Sequence, residues 1–294
     1  MFKSFESRDG WIWMNGKIIP WKDANSHIIS QGLHYASAVF EGERAYNGKI
    51  FKSEEHTKRF FKSAEIIGME IPFTYEQINK AKYELIDKMN FQNCYVRPLA
   101  WRGGDQMGLS TTSSNINVAI AVWDDWTTYF KIEDQKTGLK LITSPWKRPA
   151  PDTAPYEAKA SGPYIICTLS KEFAEKKGFH DALMLDYRGY VAEGTGANIF
   201  FIKDNDIHTP IPDCFLNGIT RQTVIEMATN QGFKITERHI VPDEIGNYDE
   251  AFLTGTAAEI TPIRSIDDFK YNTGDNTTTF KFMNDFSDMV KNSS

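Results

Sequence analysis

Short runs of apolar and strand-prone residues flank two Asn-Gly pairs in the first third of the chain: WIWM precedes Asn15-Gly16 and KIIPW follows it, and AY precedes Asn47-Gly48 and KIF follows it. Asn-Gly in such a setting predicts tight hairpins, because both turn residues tolerate positive φ. The apolar period then lengthens to that of a helix. One helix should carry Phe60, Ala64 and Ile67 on one face, capped by Ser53 and stopped at Gly68. A second should open on the capping box of Thr74 and Gln77 and carry Ile78, Leu85 and Met89. Strands are expected at 94–101 and 117–123.

Periodicity lapses in DDWTTYFKIEDQK, which reads as an interdomain connection. The expected organisation is a smaller N-terminal α+β domain over 1–123, a loop over 124–137 and a larger C-terminal domain over 138–294. In the latter, strands are predicted at 139–144, 182–187, 190–193, 198–202 and 250–254. Helices are predicted at 163–177, 219–231 and 276–290, the last with Phe280, Met283 and Val290 on one face. Antiparallel hairpins interrupted by helices place the chain in the α+β class.

At 294 residues there is chain enough for two compact domains sharing one cleft, and 41% hydrophobic and 24% charged residues fit an ordinary globular enzyme. A formal net charge of −6 offers no basic footprint for nucleic acid. The longest apolar runs are far too short to cross a bilayer, and the start, MFKSFESRDG, has no apolar signal core, so a cytoplasmic location is expected. Cys94, Cys167 and Cys214 lack any CxxC or zinc spacing, and no HExxH occurs; no metal site is expected.

Among the lysines, Lys159 stands apart because Ala158, Ala160, Ser161 and Gly162 leave room beside it for a bulky group. A nucleophilic amine needs such a partly desolvated setting; a solvated surface lysine is the alternative. Glu193, in YVAEGTGANIFF, ends an apolar run at a turn where Gly194 and Gly196 allow close backbone approach, so its carboxylate either finds a cationic partner or reaches solvent. Gly218, Ile219 and Thr220 open a helix whose N–H groups suit an anion, though a plain cap would look the same. The run Thr254-Gly255-Thr256-Ala257-Ala258 has similar character. Arg59 and Arg97 sit among apolar residues, where an arginine pairs with a protein carboxylate or holds a ligand's phosphate or carboxylate.

Seven segments in this order, GLHYASAVFEGERAY (32–46), HTKRFFKSA (56–64), YVRPLAW (95–101), YEAKASGPY (156–164), VAEGTGANIF (191–200), LNGITR (216–221) and GTAAEITPI (255–263), resemble the branched-chain aminotransferases among the fold-type IV pyridoxal-phosphate enzymes. The resemblance runs from about Trp11 to Ile263. It implies a two-domain fold like that of D-amino-acid aminotransferases, with pyridoxal 5′-phosphate between the domains. It also implies transfer of the amino group between leucine, isoleucine or valine and 2-oxoglutarate. Lys159 aligns with the Schiff-base lysine, Glu193 with the carboxylate facing the pyridine nitrogen, and Tyr164 with the partner of the phenolic oxygen. Arg59, the backbone of Ile219 and Thr220, and Thr256 would hold the phosphate. Gly196, Asn198, Leu216 and Gly218 complete the implied cofactor set.

On the substrate side, the same resemblance assigns the α-carboxylate to Tyr95 and the backbone of Ala257 and Ala258, and the side-chain carboxylate of glutamate to Arg97. Phe40, Trp126 and Tyr129 match the apolar pocket, while Tyr35, Met107 and Leu109 would reach in from a second subunit, which implies a homodimer or a larger homo-oligomer such as a hexamer. Three positions depart from the family: Pro163, Asn217 and Glu43, the last standing where many relatives have isoleucine and expected to add a charge near the pocket. Other readings are a D-amino-acid aminotransferase or an aminodeoxychorismate lyase of the same fold, or a catalytically silent ligand-binding homologue.

Overall fold

The two Asn-Gly pairs do turn the chain, with φ of 49° and 87° at Asn15 and Gly16 and of 50° and 80° at Asn47 and Gly48. The computed structural model describes residues 4–105, 108–111, 114–125 and 130–292. Contacts divide the chain into two units, one of Met1–Thr127, Ala158–Gly162 and Lys291–Ser294, the other of Thr128–Glu157 and Pro163–Val290.

In the first unit, β1 (Trp11–Met14), β2 (Lys17–Pro20), the short α1 (Gln31–His34), β3 (Ala38–Phe40), β4 (Glu43–Tyr46) and β5 (Lys49–Ile50) lead to α2 (Ser53–Ile66) and α3 (Tyr75–Met89). β6 (Cys94–Arg102) and β7 (Ile116–Trp123) complete it. The sheet is antiparallel in the order β2-β1-β7-β6-β4-β5, with β3 also paired to β6. Its core joins Val39, Ala45, Val96, Val118, Ile120 and Val122 from the strands to Phe60, Ala64, Ile78 and Leu85 from the helices. The Thr74–Gln77 capping box forms as expected. Ser53 is not the cap of α2, however. Lys52, at φ 49°, holds that position, and the Ser53 hydroxyl donates to Asn79 Oδ1.

The segment 158–162 belongs to this first unit rather than to the C-terminal domain. Ala160 bridges Val39, Phe40 N–H donates to Lys159 O at 3.0 Å, Ser161 N–H donates to Ala38 O at 2.9 Å, and Ala158 and Ala160 enter the core.

The second unit opens with α4 (Ile132–Thr137), helical where a loop was expected, followed by β8 (Leu139–Arg148), α5 (Tyr164–Lys176), β9 (Asp181–Asp186), β10 (Val191–Glu193), β11 (Asn198–Lys203) and β12 (Asp206–Pro210). Then come α6 (Ile219–Asn230), β13 (Lys234–Arg238), β14 (Glu250–Gly255), β15 (Glu259–Ile266), β16 (Phe269–Lys270) and α7 (Thr278–Asn292). The strands run β10-β9-β8-β15-β14-β11-β12-β13, and a further β10–β11 pairing closes the path on itself. β12, β13 and β15 add to the expected strands. Helix α7 buries Thr279, Phe282, Phe286 and Val290, a face rotated from the Phe280–Met283 face the apolar pattern favoured.

Candidate active site

The first unit assembles its functional side chains around Phe40. The pairing of 158–162 with β3 fixes the Lys159 backbone, whose N–H also donates to Ser63 Oγ on α2 at 3.0 Å. Lys159 Nζ lies 5.0 Å from the centroid of the Phe40 ring, and the Arg97 guanidinium lies 4.8 Å from the same ring. Burial brings the Lys159 amine down from 10.5 to about 8; the positive charges of Arg59 and Arg97 push the same way, while Glu41 and Tyr95 oppose them. A fraction of the amine is therefore neutral, and nucleophilic, near neutral pH.

Arg59 is held by a carboxylate. Its Nε donates to Glu41 Oε1 at 2.6 Å and its Nη2 to Glu41 Oε2 at 2.9 Å. His56, one turn earlier on α2, meets Glu41 Oε2 through Nδ1 at 2.8 Å. Burial works against the Glu41 charge, yet the Arg59 guanidinium and the His56 ring hold that carboxyl well below the usual range.

Tyr95 and Arg97, two residues apart on β6, share a sheet face, and Arg97 Nη2 donates to Tyr95 Oη at 2.9 Å. Gly42 makes room for this phenol: a Cβ there would stand 2.0 Å from Tyr95 Oη. Arg97 Nε is buried with no hydrogen-bond partner among the described residues. Tyr35 and Leu109 are exposed on this unit. Met107, Trp126 and Tyr129 lie outside the described residues.

Glu43 does not add a loose charge. β4 alternates, and the buried face that carries Glu43 and Ala45 turns Glu43 to Lys82 of α3, at 2.8 Å, with both side chains fully buried. Lys82 also donates to Thr57 Oγ1 at 2.7 Å. Burial raises the Glu43 carboxyl above its ordinary value even against the Lys82 charge.

The second unit gathers a carboxylate and a helix start. Glu193 and Asn198 are direct partners across the β10–β11 hairpin, which is closed by Gly194 N–H donating to Ala197 O at 2.8 Å. Asn198 Nδ2 donates to Leu216 O at 3.0 Å and approaches Glu193 Oε2 at 3.5 Å, while its Oδ1 accepts from Gly218 N–H at 3.1 Å. A Cβ on Gly218 would meet that Oδ1 at 2.3 Å, so glycine is required there. Gly218 caps α6 without a side-chain acceptor, leaving the first-turn N–H groups at Ile219 and Thr220 oriented for an anion. Thr254 is Asn198's partner on β14, and the turn after β14 carries Thr256, Ala257 and Ala258. Gly255 packs near the backbone of Gly196, which keeps that turn beside the Glu193 hairpin. Tyr164 is the first residue of α5, after Pro163 at the cap position, and Asn217 accepts from Arg221 at 3.0 Å.

Three residues of these clusters escaped the sequence reading. Glu41 left a signal, a carboxylate between apolar Phe40 and Gly42, and His56 left another in its i,i+3 spacing to Arg59. Arg148 left none: its Nε stands 3.4 Å from Glu193 Oε1 and its Nη1 donates to Cys167 Sγ at 3.4 Å. Burial opposes the Arg148 charge, but Glu193 and its other neighbours raise the group above its ordinary value.

A family model described as class IV amino-transferase matches residues 38–266. The chain belongs to the class IV aminotransferase family. It is 43% identical over 267 residues to a probable branched-chain-amino-acid aminotransferase of Rickettsia bellii, covering 91% of each chain. The structure superposes on the branched-chain amino acid aminotransferase of Escherichia coli with a TM-score of 0.92 and 33% identity, over 98% of this chain and 96% of that one. The branched-chain aminotransferase of the thermophilic archaeon Thermoproteus uzoniensis, solved with norvaline, gives 0.91 and 33% over the same shares. Other solved branched-chain aminotransferases with this fold carry pyridoxamine 5′-phosphate or N-(5′-phosphopyridoxyl)-L-glutamate.

Proposed function

We propose that the chain is a branched-chain-amino-acid aminotransferase, moving the amino group reversibly between leucine, isoleucine or valine and 2-oxoglutarate. The observation that carries this is the buried Lys159 amine, lowered to about 8 beside Arg59 and Arg97, in a chain of the class IV family. The residues present fit pyridoxal 5′-phosphate: a nucleophilic amine for its aldehyde, guanidinium and helix N–H groups for its phosphate, and a carboxylate for its ring nitrogen. When bound, the cofactor supplies a carbonyl that captures the amino group and a ring that accepts the electron pair left at Cα.

Lys159 Nζ holds the cofactor covalently until the substrate amine releases it, then carries the Cα proton to C4′. A positioned base of this kind contributes roughly 10² to 10⁴ in rate. Glu193 keeps the proton on the pyridine nitrogen by opposite charge, and Tyr164 hydrogen-bonds the phenolic oxygen. Arg59, the N–H groups of Ile219 and Thr220, and the Thr256 hydroxyl bind the phosphate. Asn198 holds the Leu216–Gly218 loop, and Gly196 gives the ring close backbone approach. Tyr95 and the N–H groups of Ala257 and Ala258 take the α-carboxylate common to all substrates. Phe40, Trp126 and Tyr129 wall an apolar space that receives the branched side chains, and Arg97 takes the side-chain carboxylate of glutamate.

The working form is a cytoplasmic homodimer or a multiple of it, in which Tyr35, Met107 and Leu109 serve the site of a second copy. No helix among the described residues is long and apolar enough to cross a membrane. Incubation of the pyridoxal-phosphate-loaded protein with 2-oxoglutarate and L-leucine should yield glutamate. Glutamate formed only from D-alanine, or pyruvate released from 4-amino-4-deoxychorismate, would overturn the reading.

A further inference from the structure

We propose that Glu41 is a positioning residue that aims the Arg59 guanidinium at the cofactor's phosphate, with His56 bracing the carboxylate from α2. This rests on the reading above that Arg59 binds the phosphate.

Glu41 has no exposed surface, yet it sits between β3 and β4 as a charged group with every near partner a donor. Oε1 accepts Arg59 Nε at 2.6 Å; Oε2 accepts Arg59 Nη2 at 2.9 Å, His56 at 2.8 Å and Gly42 N–H at 3.2 Å. An ionised carboxylate only accepts, so His56 Nδ1 bears the proton in this contact. Two parallel N–H donors to two oxygens fix the plane of a guanidinium as well as its position. With the Nε–Nη2 edge committed to Glu41, the Nη1 edge faces the opposite way. The carboxylate is itself immobile, because Glu41 N–H donates to Pro98 O at 2.9 Å and Gly42 follows at once.

Stability alone does not account for this arrangement. Taking ions out of water costs several kcal/mol per ion, and apolar replacements of a buried pair are often neutral or stabilising. What the pair supplies is orientation of a long side chain that would otherwise sample many rotamers. Glu41 also offsets part of the positive charge that Arg59 brings toward Lys159, since the two act on that amine with opposite sign.

The test is equilibrium binding of pyridoxal 5′-phosphate and of pyridoxal, which lacks the phosphate, to apoprotein of wild type, Glu41→Gln, Glu41→Asp, His56→Asn and Arg59→Gln. The ratio of the two affinities isolates the phosphate contribution. In Glu41→Gln that ratio should fall roughly 10- to 100-fold, the loss expected for charge-assisted hydrogen bonds, while pyridoxal affinity stays within about threefold. His56→Asn should lower the ratio by less, and Glu41→Asp by less than Glu41→Gln. Should Glu41→Gln fail to fold, the Asp and His56 variants carry the comparison. An unchanged ratio, or equal weakening of both ligands, overturns the proposal. Failure of the underlying reading looks different: wild type and Arg59→Gln would then show the same ratio.

Discussion

Lys82 Nζ lies 2.8 Å from the Glu43 carboxylate with neither side chain exposed, a charge pair that ties β4 to α3 inside the core of the first unit. Removing one partner of a buried pair costs about 3–5 kcal/mol, because the other is left uncompensated. Lys82→Met should therefore destabilise strongly, while the double variant Lys82→Met, Glu43→Ile should recover most of the loss. The pH dependence has a definite sign. The folded-state value of Glu43 is already raised, so the folded state binds its proton more tightly than the unfolded chain. The associated stability is full below the ordinary carboxylate range and is lost as pH rises through the folded value. Without Lys82 that value rises further, so urea unfolding should show a larger penalty for Lys82→Met at pH 8 than at pH 5. Equal penalties would contradict the account.

Gly42→Ala tests how Tyr95 is seated. The new Cβ would stand 2.0 Å from Tyr95 Oη, so the phenol must move and break its bond from Arg97. Overpacking of this kind costs about 1–3 kcal/mol. Because Tyr95 is assigned to the α-carboxylate, which all substrates share, Michaelis constants for leucine and for glutamate should rise together. A rise for glutamate alone would reassign Tyr95.

Arg97→Ala should separate the two half reactions. Loss of a buried partner for the glutamate side-chain carboxylate costs about 2–5 kcal/mol, whereas leucine meets only the apolar wall. Single-turnover rates with glutamate should drop at least about tenfold more than those with leucine. Equal losses would count against this role.

The local parts of the fold were legible because their causes are local. Asn-Gly turns, the Thr74–Gln77 box and the apolar face of α2 are each set within a few residues, and each is present. β12 and β13 were missed because DIHTP and KITER carry too little apolar alternation to register as strands; β13 lies at the end of its sheet, paired only through β12. The face of α7 was misjudged for a tertiary reason: Thr279 is buried because its N–H and hydroxyl both donate to Glu250 Oε2, at 2.8 and 2.7 Å, a contact no helical period reveals.

The candidate site divided in the same way. Lys159 and Glu193 could be singled out from their neighbours in the chain. The partners that set their electrostatics come from elsewhere: Glu41 reaches Arg59 across 18 residues, and Arg148 stands beside Glu193 from the far end of β8. Glu43, expected near the pocket, found Lys82 instead, and only the alternation of β4 decides which way it faces.

The central claim is that Lys159 is the amine that captures the cofactor. Apoprotein should be mixed with pyridoxal 5′-phosphate across a pH series, reduced with borohydride, digested and mapped by mass spectrometry. One phosphopyridoxyl group per chain should appear on Lys159, with the initial rate of capture rising through a midpoint at about 8, as burial and the neighbouring arginines require. Labelling spread over other lysines, or a midpoint near the ordinary lysine value of about 10.4, would contradict it.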